Sequence, residues 1–289
     1  MRPAGAAAAL AALLALAGAA PAQAACEAGA TPRGIVLFEG SIDGRLAAMT
    51  LAFEGRRARG RYFYGRTPVD VPVEGELQGG GALALVQKDA RGAVRARFAL
   101  FFPDTDPDDG RALDPCSFVM GTWSIKDDRD VYPVQFAREA ELPGASPGHQ
   151  YAAAGAEETV VDRAALAFWL AVKADDRARV AAALRYPIEV AIDGRRQSLA
   201  APKDFLDRYD RILTPPWREA LLHRIPHGMF ANARGVMLGQ GEAWFDAGGK
   251  VIALNPVADW DERSEVLWLR KHGMLASDPA PQQEAVTGR

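Results

Sequence analysis

Across residues 34–138 the apolar positions recur at every second residue, the period of strands with one face buried. The segments 35–38, 46–53, 59–64, 69–73, 82–86, 94–102, 118–125 and 131–136 predict about eight short strands. Turn-forming residues separate them: Asp43-Gly44, Glu54-Gly55, Gly79-Gly80-Gly81 and the 89–92 segment. Short strands at even spacing predict an all-β antiparallel meander, closed as a small barrel or folded as a sandwich. After residue 138 the pattern changes. Pro143, Gly144, Ser146, Pro147, Gly148 and the small residues 152–155 predict a linker over 139–159. Beyond it the period becomes helical: Val161, Ala164, Phe168 and Val172 share one face.

Asp175 is the expected N-cap of a second helix that Pro187 ends. A hairpin is expected at 188–200 around Asp193-Gly194, then a third helix over 203–213 after Pro202 and a short fourth from Thr214-Pro215 to His223. Strands follow at 229–233, 236–245 and 250–254, and a terminal helix at 261–272. Gly239 and Gly241 are read as relaxing one long, sharply bent strand. The domain division is a β domain at 26–138, the linker at 139–159, an α+β domain at 160–275 and a disordered tail at 276–289.

Residues 1–25 have the form of a bacterial secretory signal peptide: Arg2, an apolar stretch over 6–20, and Ala22-Gln23-Ala24 as a small-x-small cleavage site. The stretch is shorter than the roughly 20 residues of a spanning helix, so no membrane span is expected after cleavage. Gln23 occupies the position where a lipobox has an aliphatic residue, which argues against lipidation of Cys26. A periplasmic or secreted location makes the chain's two cysteines, Cys26 and Cys116, a disulfide pair. The net charge of −3 argues against a nucleic-acid partner, which requires a basic surface.

Helix, helix, hairpin, helix and then a strand meander resembles the cone fold of the nuclear transport factor 2-like (cystatin-like) superfamily. The Ala174-Asp175-Asp176 turn, Arg185-Tyr186-Pro187-Ile188, Asp204-Phe205 with Tyr209-Asp210, and the 235–245 stretch are similar to exported bacterial members of it. The first half resembles strand-rich domains of exported envelope proteins, with Gly60-x-Tyr62-x-Tyr64 and Gly121-Thr122-Trp123 as landmarks. The resemblance implies an α+β cone, a curved antiparallel sheet packed on helices. That superfamily contains isomerases, dehydratases and many non-enzymes, so the fold alone does not choose a function.

No catalytic set stands out. Asp204, Asp207 and Asp210 recur at a spacing of three and read as a solvated helix face. His223 and His227 have a metal-ligand spacing, but Pro226 between them breaks the helix that would align them. Asp104, Asp106, Asp108 and Asp109 lack the calcium-loop pattern. Ser117, Ser124, Ser146 and Ser198 have no nucleophile motif, and Gly79-Gly80-Gly81 no phosphate-loop lysine. Arg57, Arg59 and Arg61 share one strand face, read as a solvated outer face. Trp169, Tyr186, Phe205, Tyr209 and Trp244 are the expected lining of the cone. The expectation is therefore a non-enzymatic envelope protein without cofactor or metal, binding a small apolar ligand, a glycan or a protein partner. The alternatives are a cofactor-free isomerase or dehydratase with an Asp or His in the cone, and a secreted inhibitor or assembly factor.

Overall fold

The computed structural model describes residues 26, 31–65, 67–107, 110–125 and 130–257. The expected leader, the terminal helix and the tail lie outside the described residues, as do Asp108 and Asp109.

Eight antiparallel strands close into a barrel in sequence order. They are β1 (Ile35–Ile42), β2 (Arg45–Glu54), β3 (Arg57–Tyr64), β4 (Thr67–Leu77), β5 (Ala82–Lys88), β6 (Val94–Phe101), β7 (Phe118–Ile125) and β8 (Asp130–Leu142). The closing pair is β1 with β8, across a register shift at Leu37/Phe38. This decides between the barrel and the sandwich. Asp43 and Gly44 both take positive φ, as the tight β1–β2 turn requires. Alternate residues fill the interior: Phe38, Met49, Phe98 and Phe136 are all within 1% of complete burial. An eight-stranded barrel has room for side chains and little else.

One end of the barrel is stoppered. Cys26 and Cys116 form a disulfide across a sequence separation of 90 and pack into the barrel core with Leu77 and Phe102. β8 runs to Leu142, so residues 139–142, read as linker, complete the barrel wall.

The second unit contains α1 (Glu158–Lys173), α2 (Arg177–Ala183), the hairpin β9 (Ile188–Ile192) and β10 (Arg195–Leu199), then α3 (Pro202–Leu206), α4 (Tyr209–Ile212) and α5 (Pro215–Leu222). Strands β11 (Phe230–Asn232), β12 (Gly235–Leu238), β13 (Ala243–Phe245) and β14 (Val251–Leu254) follow. They form a six-stranded sheet in the order β10-β9-β14-β13-β12-β11. The sheet is mixed, not wholly antiparallel, because β14 meets β9 in parallel. Helices α3–α5 carry the chain to the far edge, and the meander returns to β9 running the same way. Phe168, Phe205, Trp217 and Phe245 centre the core between helices and sheet.

Three local expectations are corrected. Asp176 caps α2, its carboxylate accepting from Arg179 N at 3.1 Å, while Asp175 takes a positive φ in the preceding turn. The third helix divides into α3 and α4 because Arg208, at φ −124°, leaves helical geometry. The expected strand over 236–245 is two strands, β12 and β13, paired with each other. Gly239 at φ +67° and Gly241 at φ +110° turn the chain back, a stronger effect than the bend expected of them.

Candidate functional site

The outer wall of β1–β3 carries apolar side chains as well as the inner wall. Ile35 and Leu37 cluster with Leu142 and receive Phe230 of β11. Ala48 and Phe63 bury Ile225, which follows α5. These two patches dock the barrel on the α+β unit and exclude water from the ground between them. A polar network occupies that ground.

His227 sits at its centre. Its Nε2 lies 2.8 Å from Asp70 Oδ1 on β4, and its Nδ1 lies 3.0 Å from Asp162 Oδ2 on α1. The Phe63 ring meets the imidazole edge-on at 4.5 Å between centroids. Asp162 also accepts from the Tyr151 hydroxyl, and that hydroxyl in turn accepts from Met229 N at 2.8 Å. On the barrel side, Arg61 of β3 donates to Asp70 at 3.1 Å, to Glu158 at 2.6 Å and to Gln150 Oε1 at 3.0 Å. Gln150 Nε2 reaches Met229 O at 2.8 Å, and Gln150 N donates to Glu158 at 2.5 Å. Two cations and three carboxylates thus join four segments of the chain: β3, β4, the 150–162 region and the 227–229 turn.

The electrostatics follow from that arrangement. Burial alone would lower the His227 pKa. The hydrogen bonds and charges of Asp162 and Asp70 outweigh it and lift the value from 6.5 to about 9. At neutral pH both ring nitrogens therefore donate, and the ring has no lone pair to take a proton. Burial opposes the charge of Arg61, but Glu158 and Asp70 hold its pKa above the ordinary value. Burial works against the Asp70 charge as well, and His227 with Arg61 keeps its pKa below the usual carboxylate range. Burial, reinforced by Asp162, pushes the Tyr151 hydroxyl well above 10.

Beside the network a cleft of about 310 Å³ opens along the barrel wall. Its walls include Ile35, Ala52, Arg61 and Pro72 from the barrel and Pro147 with Gln150 from the connecting segment. Arg61 Nε is buried and has no hydrogen-bond partner. The wall thus combines apolar surface with one cationic side chain. Such a site suits a compact ligand with an apolar body and a hydrogen-bond acceptor. A second recess at the junction, about 50 Å³ between Ala48 and Gly228, is far smaller.

The expected cone-lining residues all lie in the α+β unit. Phe205 and Tyr209 are buried in the core and stack edge-to-face at 5.6 Å, with Arg177 over the Tyr209 ring. The Trp169 indole donates to Leu221 O, and Tyr186 donates to Ala181 O. Trp244 meets the Phe230 ring at 6.5 Å. None of the five lines the 310 Å³ cleft. Asp204 accepts from Ala200 N and Ala201 N, Asp207 pairs with Lys203, and Asp210 with Arg177. α5 ends at Leu222, so His223 and His227 do not share a helix, and His223 Nδ1 lies near Glu219 O. Among the described residues no group of three or more His, Cys, Asp or Glu is placed to hold a metal ion.

Arg61, Asp70, Gln150, Tyr151, Glu158 and Asp162 were not singled out as a set, and Arg61 is half-buried instead of solvated. Two signals pointed to it. The face that carries Arg57, Arg59 and Arg61 ends in Phe63, an aromatic that a solvated face does not need. Ile35-Val36-Leu37-Phe38 is apolar at every position, the mark of a strand covered on both sides. Among the described residues no helix is long and apolar enough to cross a membrane. The chain matches no protein-family model, no curated protein and no solved structure.

Proposed function

We propose that this is an exported envelope protein that acts by non-covalent binding, and that the junction cleft takes a small ligand with an apolar body and one acceptor group. The observation that carries the reading is the 310 Å³ cleft with the Arg61 side chain among its apolar walls. Its volume falls at the lower end of small-molecule sites, roughly 300–1,000 Å³. The disulfide between Cys26 and Cys116 supports the export half, since such bonds persist in oxidising compartments. The order of helices, hairpin and meander supports assignment of the second unit to the nuclear transport factor 2-like cone. The rival isomerase or dehydratase reading needs a free base, and His227 is committed as a cation between two carboxylates.

Native mass spectrometry of the full chain against a library of small apolar acceptors tests the reading. Wild type retains a ligand that Ala52→Trp, which fills the cleft from the outer face of β2, no longer holds. Failure of every compound to bind, or equal binding by the variant, overturns it.

A further inference from the structure

The two glycine-aromatic motifs of the first half meet at one place. Gly60-x-Tyr62-x-Tyr64 lies on β3 and Gly121-Thr122-Trp123 on β7, and both run their aromatic residues to the barrel end opposite the disulfide. The register explains the meeting. Val119 packs in the core, so Gly121 and Trp123 share its inward face. Trp123 stands opposite Phe98 on β6 and Tyr132 on β8. Each glycine makes room for its neighbours: a Cβ on Gly60 would lie 1.7 Å from Thr50 O, and one on Gly121 2.1 Å from Ala99 O.

The result is an arc of rings across the barrel mouth. Tyr64 meets Tyr62 at 6.2 Å, Tyr62 meets Phe98 at 5.1 Å, Phe98 meets Trp123 at 6.4 Å, and Trp123 meets Tyr132 at 5.5 Å. Tyr62 and Phe98 form the buried floor, while Tyr64, Trp123 and Tyr132 are only half-buried. Val69 and Ile125 stand at the rim, 65% and 41% exposed. Polar groups are interleaved with the rings. Tyr62 donates to Gln87 Oε1 at 3.0 Å, and the Trp123 indole lies beside the Tyr62 hydroxyl.

We infer that this mouth is a saccharide-binding site that takes a neutral pyranose unit of a glycan. Half-exposed aromatic faces accept the C–H face of a sugar ring, and the tyrosine hydroxyls with Gln87 suit its hydroxyls. Depth excludes an acyl chain: below the arc Leu85, Met49 and Phe136 are within 1% of complete burial, and the far end is closed by Cys26–Cys116. A ligand here must be shallow, and apolar on one face only. The site is separate from the junction cleft and does not depend on it.

Indole N–H signals in proton–nitrogen correlation spectra of the full chain test the inference, with Trp123→Phe assigning the Trp123 signal. The probes are chitotetraose, maltotetraose and cellotetraose at millimolar concentration, with laurate as the acyl arm. The expected result is a saturable shift of the Trp123 signal with at least one tetrasaccharide and none with laurate. Tyr132→Leu, whose ring lies at the rim, weakens that binding about tenfold or more, whereas Ala52→Trp leaves it unchanged. Circular dichroism of Tyr132→Leu confirms a native fold, and if it is lost Ile125→Asp serves in its place. No shift with any tetrasaccharide, a shift with laurate alone, or saccharide binding that survives the rim substitution overturns the inference.

Discussion

Replacing His227 with Gln removes the cation between Asp70 and Asp162 while keeping a neutral side chain whose amide nitrogen still donates hydrogen bonds. The magnitude comes from the titration. The folded-state pKa is about 9 against 6.5 for the free imidazole. Because the folded value is the higher one, the stabilisation is fully present below pH 6.5 and disappears as pH rises through 9. At about 1.36 kcal/mol per pH unit the gap is worth about 3 kcal/mol. The ring is largely buried, with 13% of its side chain exposed, so solvent screening removes little of this. Urea unfolding followed by the fluorescence of the six tryptophans, at fixed ionic strength, provides the assay. At pH 6 the variant unfolds about 3 kcal/mol more easily than wild type. By pH 9.5 the two converge to within about 1 kcal/mol, because wild type has lost its imidazolium. A constant difference across that range would refute the reasoning, as would wild-type stability that does not fall between pH 6.5 and 9.

Two further outcomes are expected. Cys26→Ser with Cys116→Ser releases a loop with a sequence separation of 90, and the chain-entropy account puts the loss at about 4–5 kcal/mol, read as a lower urea midpoint for the barrel. Gly60→Ala drives a Cβ to 1.7 Å from Thr50 O in the β2–β3 ladder, so calorimetry should show a lower melting temperature, with Arg57→Ala on the exposed end of the same strand nearly silent.

The strands of the barrel were legible because each has one face in a packed interior, which imposes a period of two on segments such as 94–102. The choice between barrel and sandwich was not legible, since closure depends on β1 finding β8 across the whole domain, and no local pattern records it. The split at Gly239–Gly241 is visible as glycine but not in degree: the same residues serve a bulge or a reversal, and only the pairing of Met237 with Trp244 decides. The junction was the least legible feature. Its charged residues come from positions 61, 70, 158, 162 and 227, each of which alone resembles ordinary surface polarity. What distinguishes them is that two apolar patches seal the ground around them, which follows from docking and not from periodicity. His227 in particular lies four residues from His223 in the sequence, whereas its partners are Asp162 and Asp70.

The two units are held together by a histidine kept charged between carboxylates from both of them. Nitrogen-15 NMR of the ring nitrogens, with the chain's four histidines assigned through His227→Gln, reads that charge directly. At pH 7.5 both His227 nitrogens should carry protons, and the ring should titrate near pH 9. A neutral ring at pH 7.5 that titrates near 6.5 would contradict the account.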